Sequence, residues 1–298
     1  MKAECTGKTC NWQKPTTAWK DGIDGIHFTD PVQGYCPDNC YLIAALSSIA
    51  LVQPNSTILN KTPILGKYSI TLCDPDNPSD INLQKTYKVT PYQCLDAAGG
   101  YPFAHSKTSS AEMWPAILEK AYGAFKSTIP IYSNGTTLDK SPNLYDVPWQ
   151  PGNGINALKT LTGSSNADSK TPSEIDIVQD LTVTFGYLWG TYVNPRTNKV
   201  ISSYRVGTKM LAWTYSGSPS PGGYVYNLRI AANHTFTILG MNIEDSGQSY
   251  VVLRDPHGGN SELEPLPMWC DYSTGVNGII CVVVSDFINA FETYGWVL

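Results

Sequence analysis

Residues 33–51 decide how the chain is read: Gln33-Gly34-Tyr35-Cys36-Pro37-Asp38-Asn39-Cys40-Tyr41, followed by LIAALSSIAL over 42–51. Leu42, Leu46 and Ile49 recur at helical spacing, and almost every other residue from 41 to 51 is apolar or small. That pattern predicts a largely buried helix. Asp38 and Asn39 stand just before it as N-cap candidates. Cys40 therefore opens the first turn. A thiol there faces the positive end of the helix dipole, which favours the nucleophilic thiolate. Before this stretch, residues 1–38 carry Gly, Pro, Asp and Thr punctuation and no periodic stripe, so they read as irregular.

Working outward, a second helix is signalled over Ser110–Phe125, where Met113, Trp114, Ile117, Leu118, Ala121, Tyr122 and Phe125 form an apolar stripe. Ser109 with Glu112 reads as a capping box, while Pro115 argues for a later start or a distorted first turn. The loop-like segment Ser127–Asn153 is the expected boundary between two lobes, 1–153 and 154–298. Short helices are expected at Ile155–Leu161 and Ser173–Leu181. Beyond about residue 183 the pattern turns to strands: Thr184–Tyr192, Lys209–Thr214, Thr235–Met241, Ser249–Leu253 and Gly278–Val284. Asn242–Gln248 reads as a hairpin connection, and Ser285 as the cap of a last helix over Asp286–Tyr294. The outline is α+β, helical first and β-rich second.

Composition narrows the function. The 298 residues carry a net charge of −5 and no Lys/Arg run, which argues against nucleic acid and membrane surfaces as partners. No apolar run approaches the ~20 residues of a membrane span. The eight cysteines include no CxxC pair. The spacings Cys5/Cys10, Cys73/Cys94 and Cys270/Cys281 suit three disulfides without proving them. Asn55, Asn60, Asn134 and Asn233 stand in glycosylation sequons. Together these favour a secreted or lumenal protein. Against that, the first five residues carry no apolar leader, which leaves two readings open: a leader already removed, or a cytoplasmic chain with free thiols.

Three pieces carry the chemistry. Cys40 starts a helix, His234 opens a strand in Asn233-His234-Thr235-Phe236, and Asp255 closes the next strand in Arg254-Asp255-Pro256-His257-Gly258-Gly259. A hairpin of those two strands would set Asp255 beside His234. Nucleophile, base and orienter is the logic of a Cys-His-Asp triad. Singly each has a bland reading: a buried small hydrophobe, a structural histidine and a turn former.

Taken in order, the motifs resemble the calpain family. QGYCPDNCYLIAALSSIA is similar to the calpain active-site helix, AEMWPAILEKAYGAF to its second conserved helix, and INALKTLTG to the opening of its second lobe. NHTFTILGMN resembles the histidine strand, SYVVLRDPHGG the strand ending in N-P-W-G, and VVVSDFINAFETYGWVL the tail of the protease core. The resemblance runs from Asp30 to Leu298. It implies a two-lobed papain-like fold and a cysteine endopeptidase acting through Cys40, His234 and Asp255. Gln33 and the Cys40 backbone N–H would hold the oxyanion. It further implies a protein or peptide substrate and no required cofactor, and a monomer is expected.

The departures are specific. Asp255 replaces the family's Asn, Tyr41 and His257 replace two tryptophans, and one extra residue separates Gln33 from Cys40. Calcium is a further family property: Asp30 and Glu119 match ligand positions of its first site. The second site looks depleted, with Asp271 retained and Ser261, Asn277 and Ile279 near other ligand positions. Two rivals remain. One is a transglutaminase-like acyltransferase. The other is an inactive or redox-latched binding module in which Cys36 pairs with Cys40.

Overall fold

The computed structural model describes residues 10–14, 26–36, 38–59, 61–106, 112–127, 134–139, 152–194, 198–215, 224–225, 230–258 and 278–298. Two compact units divide the chain, Met1–Ser165 and Asn166–Leu298.

In the first unit the strands β1 (Asn11–Gln13) and β2 (Pro31–Val32) precede helix α1 (Cys40–Val52). Strands β3 (Tyr68–Leu72), β4 (Lys85–Val89), β5 (Gln93–Leu95) and β6 (His105–Ser106) follow. Helix α2 (Trp114–Lys126), strand β7 (Thr137–Leu138) and helix α3 (Gly154–Thr162) complete the unit. Residues 41–50 of α1 are all buried, including Ser47, whose hydroxyl is satisfied by the Ile43 carbonyl at 3.0 Å. A helix apolar on every side has to be surrounded. Here α2, α3 and β2 pack on it. β3, β4 and β7 form a small sheet under α2, and β1–β5 and β2–β6 are two-stranded ribbons.

The second unit contains β8 (Ala167–Lys170), α4 (Glu174–Gln179) running into a π-helical turn at Asp180–Thr184, β9 (Gly186–Val193), β10 (Val200–Val206), β11 (Lys209–Thr214), β12 (Tyr224–Val225) and β13 (Ile230–Ala231). It closes with β14 (Thr235–Glu244), β15 (Ser249–Arg254), β16 (Ile279–Val283), α5 (Val284–Ala290) and β17 (Phe291–Val297). Eight strands make one antiparallel sheet in the order β16-β15-β14-β11-β17-β8, with β10 pairing β14 and β9 pairing β10. Phe236, Phe287 and Phe291 stack inside it, with ring centroids 5.6 and 4.3 Å apart.

The β14–β15 hairpin contains a one-residue bulge. Ile238 pairs with Leu253 but Gly240 pairs with Val252, so Leu239 is the extra residue. A Cβ on Gly240 would lie 2.0 Å from the Tyr204 carbonyl oxygen, so β10 can pair there only with glycine.

Several expectations are corrected. The first unit is not simply helical, because β3 and β4 pair over five residue positions. It also extends through Ser165. The expected boundary at 153/154 cuts off α3, which packs on α1 and is capped by the Asn153 side chain. The second helix begins at Trp114 with Pro115 in its first turn, where a missing N–H costs little. Glu112 therefore precedes the helix and no capping box forms, while Ser109 lies outside the described residues. The last helix stops at Ala290, because Phe291–Val297 pairs with β11 and β8 as a strand. Phe287, Ile288 and Phe291 stand at helical spacing, which hides the strand that follows. Strand β10 was missed altogether.

The cysteine pairing differs too. Cys10 is disulfide-bonded to Cys94, in the β1–β5 ribbon, which excludes Cys5/Cys10 and Cys73/Cys94. Cys73 is a buried free thiol whose ionisation burial disfavours. Cys36 and Cys281 are each disulfide-bonded, and Cys40 is in no disulfide, so no Cys36–Cys40 latch exists. Cys5 and Cys270 lie outside the described residues, as do Asn60, Ser261, Asp271 and Asn277. Among the described residues no helix is long and apolar enough to cross a membrane.

Candidate active site

Each unit holds one part of the expected constellation. In the first unit Cys40 is the first residue of α1, partly exposed, with its thiol in no disulfide. The preceding residue, Asn39, caps the helix with its backbone, its carbonyl accepting from Leu42 and Ile43 N–H at 2.8 and 3.2 Å. Its side chain does not cap the helix. It donates instead to Glu119 Oε1 at 2.5 Å. Glu119 Oε2 accepts the Ala104 N–H at 2.9 Å. One buried carboxylate thus fastens the start of α1 to the 102–104 segment.

The same segment supports the loop before α1. Cys36 N–H donates to the Pro102 carbonyl at 3.0 Å, and β2 pairs with β6 through Val32 and His105. A Cβ on Gly34 would fall 2.4 Å from Phe103 Cα and N, a distance no side chain survives. Gln33, half-buried, stands between β2 and this contact. Tyr41, where the family has Trp, is buried with its ring 6.1 Å edge-on from Tyr122 and the backbone of Gly152 against its face. Burial, with the Cys40 charge adding to it, holds the Tyr41 phenol far above its ordinary ionisation range.

The calcium candidates fit poorly. Burial raises the Glu119 carboxyl to about 7, and both its oxygens already serve Asn39 and Ala104. Asp30 Oδ2 accepts the His27 N–H in a tight turn. A carboxyl committed to two protein donors in a dry core lacks the oxygen-rich, charged surroundings that calcium requires. Among the described residues neither belongs to a group of three metal-type ligands.

In the second unit the two expected residues meet. His234 Nε2 lies 3.1 Å from Asp255 Oδ1, and both are buried. The backbone around His234 is pinned by Thr214. The Thr214 hydroxyl accepts His234 N–H at 2.9 Å, and Thr214 N–H donates to the His234 carbonyl at 3.0 Å. Asn233 takes a left-handed φ of 55° to turn the chain into β14. Phe236 stands edge-on to the imidazole at 4.8 Å. On the other face His257 stacks on His234, centroids 4.7 Å apart and planes 12° from parallel.

His257 also binds the same carboxylate oxygen twice, through Nδ1 at 3.0 Å and its backbone N–H at 2.8 Å. Burial alone would push the Asp255 carboxyl up. The His234 charge and hydrogen bond, joined by those of His257, outweigh it and hold the carboxyl well below the usual carboxylate range. With Nε2 turned to Asp255, Nδ1 is the nitrogen of His234 suited to act as base. His257, which stands where the family has a tryptophan, thus adds a polar contact to the site. Nothing in the sequence signals that Thr214 or Asn39 would hold the site residues, since a Thr on a strand and an Asn before a helix are commonplace.

A family model described as calpain family cysteine protease matches residues 2–275. A search of curated proteins found no match.

Proposed function

The chain belongs to the calpain family of cysteine proteases, and on that premise we propose that it hydrolyses peptide bonds through Cys40, His234 and Asp255. The observation that carries the reading is the buried His234–Asp255 hydrogen bond at 3.1 Å, made through Nε2, in a chain whose Cys40 stands at a helix start outside any disulfide. In the proposed reaction the first unit supplies the nucleophile, Cys40, and the second supplies the base, His234, and its orienter, Asp255.

The thiol gives its proton to Nδ1, and the thiolate attacks the substrate carbonyl carbon. The Cys40 N–H and the Gln33 side-chain amide stabilise the resulting oxyanion. His234 returns the proton to the leaving amine, and a thioester remains on Cys40. Water then attacks that thioester, His234 accepts the water proton, and the acid product departs with the thiol restored. Asp255 holds the imidazole in the tautomer with hydrogen on Nε2 and stabilises its charged form. The substrate is a protein or peptide.

Labelling with an electrophilic cysteine-protease probe, followed by mapping of the labelled residue, tests this. Modification of Cys40 that disappears in Cys40→Ala, together with loss of peptide hydrolysis, supports it. Hydrolysis that persists in Cys40→Ala refutes it. Incorporation of added amines in preference to hydrolysis would replace it with an acyltransferase reading.

A further inference from the structure

We propose that His234, Asp255 and His257 form a binding site for a zinc-class transition metal ion, and that its occupation is mutually exclusive with the base function of His234. His234, Asp255 and His257 each offer one ligand atom, a ring nitrogen or a carboxylate oxygen, and these three atoms lie within 4.8 Å of one another. Both imidazole nitrogens already point at a single carboxylate oxygen, at 3.1 and 3.0 Å. One imidazole is enough for an orienter to do its work. The second brings the count to two nitrogens and one oxygen, the donor set of zinc sites that keep a fourth position open. Calcium and magnesium seek more oxygen ligands than this cluster offers, whereas imidazole suits zinc, copper and nickel.

Access and adjustability come from the same residue. The His257 side chain is 47% exposed, while those of His234 and Asp255 are 7% and 13% exposed. Tetrahedral zinc with bonds of about 2.1 Å sets its ligand atoms roughly 3.4 Å apart. The two nitrogen–oxygen separations, 3.1 and 3.0 Å, therefore have to widen by about 0.3–0.4 Å and the remaining separation to close by no more than about 1.4 Å, and the half-exposed ring can supply the movement.

Competition follows from the proton inventory of imidazole. A neutral ring has one N–H and one lone pair. A metal on Nε2 takes the lone pair there and shifts the ring hydrogen to Nδ1. Nδ1 then has no lone pair with which to accept a proton. Metal binding itself needs nothing from Cys40 and stands apart from the proposed protease chemistry. Only the competition rests on that reading.

Isothermal titration of Zn²⁺ into tag-free Cys40→Ala protein at pH 7.5, in a non-chelating buffer, separates the two. We expect one saturable equivalent at micromolar concentration, weakened at least about tenfold in Cys40→Ala/His257→Gln. Co²⁺ in place of Zn²⁺ should give a visible d–d absorption that the second variant lacks. No saturable binding below millimolar zinc overturns the proposal, and so does binding that His257→Gln leaves unchanged. In the wild-type enzyme, zinc should inhibit hydrolysis reversibly on addition of EDTA. His257→Gln should move the inhibitory concentration upward by the factor seen in titration. If titration behaves as expected while the wild type hydrolyses nothing, the metal site stands and the protease reading falls. Inhibition that ignores the His257 substitution would overturn the competition.

Discussion

Glu119 Oε1 accepts the side-chain amide of Asn39 at 2.5 Å, and Asn39 is the residue immediately before Cys40. Through Oε2 the same carboxyl holds Ala104, whose segment supports Gly34 and Cys36. The positions of the thiol and of the loop carrying Gln33 are thus both referred to one buried group on α2.

That group should leave a signature in pH. Burial raises the Glu119 carboxyl to about 7 from an ordinary 4.5. The folded state therefore binds a proton that the unfolded chain has released. Its contribution is fully present below about pH 4.5 and is lost as pH rises through about 7. The stability difference between wild type and Glu119→Gln, measured by urea unfolding, should be larger at pH 5 than at pH 8. A difference that grows with pH would contradict the assignment.

Gly34→Ala should damage activity and stability together. The new methyl group collides with the Phe103 backbone at 2.4 Å, and backbone cannot swing aside as a flexible side chain can. Overpacking of this kind costs about 1–3 kcal/mol. Because the displaced loop bears Gln33, kcat/KM should fall by roughly tenfold or more, about 1.4 kcal/mol in the barrier. Unchanged kinetics with a lowered melting temperature would remove Gln33 from the reaction.

Asp255→Asn should keep most activity, within about tenfold, because an amide oxygen can still accept from His234 Nε2 and preserve the tautomer. Asp255→Ala removes the acceptor and should lose roughly 10²-fold or more. Parallel kcat/KM measurements decide it. Equal loss in both variants would show that charge, rather than orientation, is what His234 needs.

Calcium should have no switching role. Glu119 is unsuited to bind it, and peptide hydrolysis in EGTA should match hydrolysis in added calcium. A strong, reversible dependence at micromolar calcium would show that other oxygens build a regulatory site.

The candidate site was legible to the extent that chemistry was written in residue type and spacing. The helix at Cys40 announced itself through unbroken apolar sequence, and the His234–Asp255 pairing through two strands joined by a short polar connection. Glu119 was legible as a charge within an apolar stripe and, by resemblance, as a calcium-ligand position, not as a tie between loops. Its neighbours on the helix are buried against β3, β4 and β6, and nothing local tells a surface charge from one that ties distant loops. Strand β17 was hidden because Phe287, Ile288 and Phe291 stand at helical spacing and run straight into it, with no breaker between Ala290 and Phe291. The Cys10–Cys94 bond joins residues 84 positions apart, a separation that no argument from neighbouring cysteines can reach.

The extra residue at Leu239 divides the β14–β15 hairpin into two halves with different tolerance of insertions and deletions. On the site side of the bulge Thr237 pairs with Arg254, and three further steps set His234 opposite His257, in accord with their stacked rings. On the turn side the pairing is offset by one. A residue gained or lost in the turn around Asp245–Gln248 can be absorbed as a change of loop length. A residue lost at Leu239 only removes the bulge, since Ile238–Leu253 and Gly240–Val252 then become consecutive pairs, whereas a residue lost between His234 and Thr237 reverses parity there and turns His234 and Asp255 toward opposite faces of the sheet. The hairpin can thus drift in length at its tip while its open end is held to an odd-even rule.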